Sequence, residues 1–190
     1  TIFFIKCPDH KKERHPLATV CIAQLYRALV DVANGMPRKI LPRHVFFLLD
    51  EFGNLPVIPD FATMVTVARS RNIFFEIIVQ SYAQLDTKYG KDISETLKGN
   101  FNAQIFLGTD DQQTKDAFSK SCGEVQVTYV EKSKSVSKGK DPASKSTSEN
   151  EQIQRSTRPL IDPTELGQLP FGTGIARLFR LPPLKINYTQ

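Results

Sequence analysis

The most constraining feature of this sequence is a short apolar run that ends in two adjacent carboxylates. Residues 45–49 read VFFLL, Asp50 and Glu51 follow directly, and Gly53-Asn54 supplies a turn signal. A run this short, rich in Phe and Leu and ended by turn residues, predicts a β-strand buried on both faces. Two acids at the end of such a strand lose hydration unless a positive group meets them. The sequence therefore predicts a positively charged partner at this strand end.

Strands and helices alternate through the first part of the chain. Helical spacing predicts a helix over 17–33 that ends at Gly35, and further helices are expected after caps at Asp60 and at Thr109 or Asp110. Apolar runs predict core strands at 1–5, 45–49, 73–79 and 103–107. Strict alternation is typical of an α/β domain with a mainly parallel sheet and helices on both faces.

The pattern changes after Cys122. Residues 124–131 alternate with period two, whereas 131–150 are rich in Ser and Lys and hold almost no apolar side chains. Such a segment buries too little to order itself, so it predicts a flexible excursion at the tip of a long hairpin. Asp162, Pro163 and Glu165 predict a capped helix, and 174–181 predict a closing strand. We expect C-terminal antiparallel strands.

Composition limits the class of protein. The chain of 190 residues suits one domain, and because it begins within an apolar run it is interpreted as a fragment of a longer protein. No apolar run approaches the roughly 20 residues of a membrane helix, so the fragment is expected to be soluble and cytoplasmic. Cys7, His10 and His15 are too few for a closed zinc site and are expected in an exposed loop. Net charge is +5, of which +3 lies in 131–148, so charge establishes no DNA-binding face.

Asp50 and Glu51 have the arrangement of a Walker B motif. There the Asp holds the Mg²⁺ of a nucleotide, usually through water, and the Glu polarises the water that attacks the γ-phosphate. Gln80 directly follows the next buried strand, so in a parallel sheet its amide is expected near Glu51. The alternative is structural: acids that form a salt-bridged loop entry, and a Gln that begins a short helix.

Two arginines lie near the end of the helix between these strands. Arg69 and Arg71 are favoured there by the helix dipole, and either could instead act as an arginine finger across a subunit interface. The sequence contains no GxxxxGK[ST] and no GxGxxG, so the phosphate cradle is absent from these residues. The chain therefore holds half of a nucleotide-hydrolysis site.

The series DEFGN, ARSR, QSYAQL and YG, within residues 41–90, resembles the Walker B region of type IV secretion coupling proteins of the TraG/TraD type. The resemblance extends over nearly the whole chain. It implies the C-terminal part of a RecA-like P-loop NTPase domain, with the P-loop, an inserted helical domain and the membrane anchor upstream. It further implies that Asp50 and Glu51 are the Walker B pair, Gln80 the phosphate-sensing glutamine and Arg69 the finger.

The resemblance also implies cofactors and partners. The intact parent would bind ATP and Mg²⁺ as a ring, usually a hexamer, at the cytoplasmic face of the bacterial inner membrane. Its partners would be DNA, the relaxosome with its relaxase, and the channel proteins of a type IV secretion system used in conjugation. The fragment alone is expected to be inactive because it lacks the P-loop.

Two alternatives stay open from the residues. One is another RecA-like DNA translocase, of the kind that works in chromosome segregation or repair. The other is a non-catalytic docking module of a secretion complex, in which Asp50 and Glu51 are loop-entry acids. Glu76, within the apolar run of 73–79, has no role in either interpretation and would need a partner or a raised pKa if it were buried.

Overall fold

The structure is a computed structural model that describes residues 2–7, 12–138 and 145–188. The chain forms two compact units. The first comprises Thr1–Ile105 and Arg177–Leu181, and the second comprises Phe106–Ala176 and Pro182–Gln190.

Helices and strands alternate as the sequence predicts. The helices are α1 (His15–Asn34), α2 (Phe61–Ala68), α3 (Tyr82–Tyr89), α4 (Lys91–Asn100), α5 (Gln112–Cys122) and α6 (Pro163–Gly167). The strands are β1 (Val45–Leu49), β2 (Ile73–Ile77), β3 (Ala103–Phe106), β4 (Glu124–Lys138), β5 (Lys145–Pro159), β6 (Thr173–Leu178) and β7 (Leu184–Asn187). Short 3₁₀ turns lie at Lys12–Arg14, Phe52–Asn54 and Arg69–Arg71. The fold is mixed α/β with parallel and antiparallel pairing.

Strands β1 and β2 form the parallel pair of the first unit, with Val45 opposite Ile73 and Leu49 opposite Ile77. Alternate side chains point to opposite faces of a sheet. Phe47 and Leu49 lie on the face that packs into the main core. The most deeply buried members of that core are Phe52, Ile58, Phe61, Ile73, Leu85 and Leu97.

The other face of this pair is open. Phe46 and Leu48 are 64% and 69% exposed, and Ile78, just beyond β2, is 51% exposed. The expected burial of residues 45–49 on both faces is therefore wrong for this chain, because the core of the first unit covers only the face of Phe47 and Leu49. Glu76 is exposed on the same open face, opposite Leu48, so its carboxylate needs no buried partner.

Two strand assignments need correction. Residues 2–5 form no strand, and Ile2, Phe3 and Phe4 are largely exposed, because no strand among the described residues pairs with them; Thr1 lies outside the described residues. Strand β3 forms as predicted but is hydrogen-bonded in the order β3-β6-β7 instead of extending the β1–β2 pair. The apolar run predicted strand β3 itself, whereas the strand that pairs with it, β6, comes from the distant C-terminal segment.

The second unit is built around Phe118, Leu166 and Ile175. Strands β6 and β7 pair antiparallel, which confirms the predicted C-terminal antiparallel strands. Helix α5 is capped by Asp111, whose carboxylate accepts from the Thr114 N–H at 2.8 Å, so the predicted cap at Thr109 or Asp110 is wrong by one or two positions. At α2, Asp60 holds the cap position without a side-chain hydrogen bond.

The long hairpin predicted for the Ser/Lys-rich region is present. Strands β4 and β5 pair antiparallel from Glu124↔Pro159 to Lys138↔Lys145. Residues 139–144, at the tip, lie outside the described residues. The flexibility of 131–150 stays a prediction.

Helix α1 meets the length and composition of a membrane-crossing helix. It has 20 residues and a mean hydropathy of 1.3 over its most apolar window, about a third of which is buried. Core helices of soluble proteins meet the same criteria, so one such helix is weak evidence for a membrane span. Arg27 and Asp31 interrupt the apolar residues of α1, so this helix does not contradict the expectation that no apolar run approaches roughly 20 residues.

Candidate functional site

The carboxyl ends of β1 and β2 bring the predicted acids and Gln80 to one edge. The parallel ladder continues past the strands: the Ile78 N–H donates to the Leu49 carbonyl at 3.0 Å, and the Phe52 N–H donates to the Ile78 carbonyl at 2.9 Å. Asp50 and Glu51 lie between these two rungs, and Gln80 follows two residues after Ile78. All three residues are exposed, so the edge is open to a ligand.

Glu51 adopts a left-handed backbone conformation, with φ of 47° and ψ of 38°. This conformation costs a non-glycine residue roughly 1–2 kcal/mol. It turns the chain sharply from β1 into the 3₁₀ turn Phe52–Asn54. The Glu51 N–H donates to Asp50 Oδ1 at 2.9 Å, which holds the first carboxylate against the turn. A strained residue of this kind at a strand end is typical of a functional position.

The chemistry of these residues fits a magnesium ion held indirectly. No group of three or more His, Cys, Asp and Glu side chains that could hold a metal occurs among the described residues. Mg²⁺ prefers oxygen ligands, retains several waters, and is usually bound by one or two carboxylates together with substrate phosphates. Asp50 supplies one exposed carboxylate at this edge, as such a site requires.

Gln80 is held by a second glutamine, Gln84 of α3. The Gln80 backbone N–H donates to Gln84 Oε1 at 3.3 Å, and Gln84 Nε2 donates to Gln80 Oε1 at 3.3 Å. The Gln84 side chain also lies against Gly53, where an added Cβ would overlap Oε1 and lie 2.7 Å from Cδ. Gln84 therefore contacts both segments that follow the strands.

The far end of α3 holds the same loop. Lys88 Nζ donates to the carbonyls of Phe52, Gly53 and Leu55, at 3.4 Å for Phe52. Burial lowers the pKa of Lys88 below its ordinary value of 10.5. The hydroxyl of Tyr89 accepts from the Ile58 N–H at 3.2 Å, and its ring is parallel to that of Phe52 with centroids 5.8 Å apart. Helix α3 thus fixes the chain from Phe52 to Ile58.

The arginines lie at the opposite end of the strands. Arg69 and Arg71 form the 3₁₀ turn before β2, and the Arg71 carbonyl accepts from the Leu41 N–H ahead of β1. Five strand residues span roughly 16 Å, so neither arginine lies beside Glu51 of the same chain. Arg69 is exposed, whereas Arg71 donates to the Val67 carbonyl and to Ser70 Oγ on its own helix. The site residues therefore divide between two ends of one parallel pair.

A family model described as the TraM recognition site of TraD and TraG matches residues 44–171. The match runs from just before β1 through α6 and includes the whole edge at Asp50 and Gln80. The chain belongs to the TraD/TraG family of coupling proteins.

Curated relatives carry names of the same family. Protein VirD4 of Rhizobium rhizogenes is 28% identical over 86% of this chain and 23% of its own length. Conjugal transfer protein TraG of Agrobacterium fabrum is 29% identical over 97% of this chain and 27% of its own. Coupling protein TraD of Escherichia coli is 27% identical over 89% of this chain and 22% of its own. The chain spans about a quarter of the length of these relatives.

Solved structures of the coupling protein TrwB have the same fold. The unbound form superposes with a TM-score of 0.70 at 22% identity, over 94% of this chain and 39% of the TrwB chain. TrwB in complex with ADP and Mg²⁺ superposes with a TM-score of 0.67 at 21% identity, over 94% and 38%. The predicted RecA-like α/β class is therefore confirmed.

The remaining predicted positions do not join this edge of the coupling-protein domain. Cys7 is half-buried, His15 is buried at the start of α1, and His10 lies outside the described residues. Glu76 lies on the open face and not at the edge of Asp50 and Gln80.

Sequence reasoning missed Gln84, Lys88 and Gly53 as parts of this edge. A signal was present: Gln84 and Lys88 are four residues apart, which places them on one side of a helix, and Gln80 precedes Gln84 by four residues. The partner of that side is the loop after β1, which is about 30 residues away in the sequence, so spacing alone did not identify it.

Proposed function

We propose that the longer protein to which this chain belongs is an ATP-driven motor of bacterial conjugation that delivers DNA with its relaxosome to a type IV secretion channel. The observation that carries the proposal is the shared edge of Asp50, Glu51 and Gln80 in a chain of the coupling-protein family. An exposed acid pair beside an exposed amide, at the carboxyl ends of two parallel strands, is typical of a site for nucleotide and metal.

Each residue at the edge has a distinct role. Asp50 would hold Mg²⁺ through water, and Glu51 would accept a hydrogen bond from the attacking water and so polarise it. The Gln80 amide contacts the γ-phosphate and the same water. ATP with Mg²⁺ supplies the transferable phosphoryl group and neutralises its charge. The left-handed backbone of Glu51 aims its carboxylate from a fixed turn.

Arg69 completes the site from a neighbouring subunit. Its exposed position at the far end of β2 favours action in trans over action on the nucleotide of its own chain. This requires an oligomer, and we propose a hexameric ring with DNA through its centre. The family description, which names a recognition site for TraM, supports a partner within the relaxosome. An anchor upstream would hold the ring at the cytoplasmic face of the inner membrane.

The test compares ATP hydrolysis by the longer protein and its variants, with and without DNA. We expect Glu51→Gln to lower kcat by about 100-fold or more, because a positioned general base contributes at least that much. Glu95→Gln is the matched control, since this carboxylate pairs with Lys98 and has a side chain that is 74% exposed on α4. The 190-residue chain, expected to be inactive without a P-loop, serves as the blank.

The outcomes separate the proposal from its alternatives. Hydrolysis that DNA stimulates and that falls in Glu51→Gln but not in Glu95→Gln supports a DNA motor. Hydrolysis that Glu51→Gln leaves unchanged contradicts the assignment of the acid pair. A longer protein that neither binds nor hydrolyses ATP would be a docking module.

A further inference from the structure

Helix α3 contacts both segments that follow the strands through its side chains. Gln84 contacts Gln80 on one side and Gly53 on the other, and Lys88 donates to three carbonyls of the loop that follows Glu51. The strand ladder joins the same two segments as far as Phe52 and Ile78.

The paired amides fix which way the Gln80 side chain is turned. A backbone N–H can only donate, so the Gln84 atom that meets the Gln80 N–H at 3.3 Å must be its oxygen. The Gln84 nitrogen then faces Gln80 and donates to its Oε1. With its oxygen turned towards Gln84, the other terminal atom of the Gln80 amide is Nε2. An amide nitrogen is a donor, which suits a phosphate oxygen and not a cation.

We propose that Gln84 is a positioning residue of this site, which orients the Gln80 amide and, seated against Gly53, couples it to the loop that carries Asp50 and Glu51. The catalytic consequence rests on the proposed function, whereas the coupling itself is a property of this chain. Gly53 serves this role because it has no Cβ. Its φ is not positive, so alanine fits the backbone there, and the three atoms nearest to its added Cβ all belong to Gln84.

The test is a double-mutant cycle with Gly53→Ala and Gln84→Ala. In the 190-residue chain, Gln84→Ala removes the acceptor of the Gln80 N–H, so its hydrogen-exchange rate should rise about fivefold, the equivalent of one ordinary hydrogen bond. Gly53→Ala should raise it similarly by displacing the side chain. The double variant should match Gln84→Ala, because the added methyl then has nothing to displace.

In the longer protein, each single variant should lower kcat on the order of tenfold, with the Kd for nucleotide changed less than about twofold. The controls are Thr87→Ala, an exposed position on α3, and Gly99→Ala, where an added Cβ meets nothing within 4 Å. Circular dichroism verifies that every variant folds. A merely structural role would change stability and nucleotide affinity together, without the selective loss of kcat.

Two results would overturn the proposal. One is exchange at Gln80 that Gln84→Ala leaves unchanged, which would mean that the paired amides do not form in solution. The other is a Gly53→Ala effect that persists fully in the Gln84→Ala background, which would mean that Gly53 acts independently. Because exchange is measured without nucleotide, both remain informative if Glu51→Gln shows that the proposed function is wrong.

Discussion

Tyr89 combines packing and hydrogen bonding at the end of α3. Its hydroxyl accepts from the N–H of Ile58, a residue with no exposed surface, and its ring packs parallel to Phe52. Burial is the larger influence on its pKa and raises it above 10.0, and the hydrogen bond from Ile58 lowers it in part. One side chain therefore anchors the loop after the acid pair and gives it a dependence on alkaline pH.

Tyr89→Phe should lower the free energy of unfolding by about 1–2 kcal/mol near neutral pH, because the buried Ile58 N–H loses its acceptor. Since the pKa of Tyr89 is raised in the folded chain, its contribution is fully present below pH 10.0 and is lost as pH rises through the folded value. The variant should therefore lose less stability on alkaline titration than the unsubstituted chain.

Urea denaturation near pH 8 and near pH 11 measures both effects. Tyr26, whose pKa burial also raises, remains in the variant, so the alkaline loss should shrink without disappearing. An unchanged midpoint near pH 8 would contradict the role of the Ile58 hydrogen bond. An unchanged alkaline loss would contradict the contribution of Tyr89.

At the scale of elements, α6 depends on its cap because it has only five residues. The Asp162 carboxylate accepts from the Thr164 N–H at 2.8 Å, and Glu165 Oε2 accepts from the Asp162 N–H at 3.3 Å. The hydrogen bonds from Thr164 lower the pKa of Asp162 below 3.8. The capping box was predicted from Asp162 and Glu165 and is confirmed.

Because this pKa is lowered on folding, the contribution of Asp162 is present above pH 3.8 and is lost as pH falls through the folded value. We expect Asp162→Asn, which keeps an uncharged acceptor, to reduce the acid dependence of stability. We expect Asp162→Ala to lower stability both at about pH 6 and at about pH 3. Urea midpoints at about pH 6 and about pH 3 test this. Asp92→Asn, in the first turn of α4, is the control, and equal acid dependence in both Asn variants would contradict the prediction.

The elements also show what the sequence could predict and why. Local signals sufficed for β1, β2 and α6, since apolar runs and caps act over a few residues. They failed for the strand next to β3, because that strand, β6, is distant in the sequence. They also failed for residues 2–5, which have the composition of a strand but no partner strand among the described residues. The edge at Asp50 and Gln80 was predictable because parallel strands align their carboxyl ends, whereas the contact of Gln84 with Gly53 depends on tertiary packing.

At the scale of the whole molecule, the parallel pair separates Arg69 from Glu51. Both lie in the first unit, at opposite ends of strands that span roughly 16 Å. An arginine side chain that must neutralise a γ-phosphate beside Glu51 is therefore expected to come from another copy. Such head-to-tail contacts close into a ring when the rotation between copies permits.

Mixing two inactive variants of the longer protein tests this division of the site. In the proposed site, Glu51→Gln removes the base and Arg69→Ala removes the finger, so we expect each variant alone to be inactive. In a random mixture, about one interface in four pairs an intact Glu51 with an intact Arg69, so part of the activity should return.

The control replaces Arg69→Ala with Arg71→Ala. Because the Arg71 side chain donates to the Val67 carbonyl and to Ser70 Oγ, this variant should retain activity alone. If mixing restores nothing although the subunits exchange, as verified by fluorescence transfer between labelled copies, the finger does not act in trans.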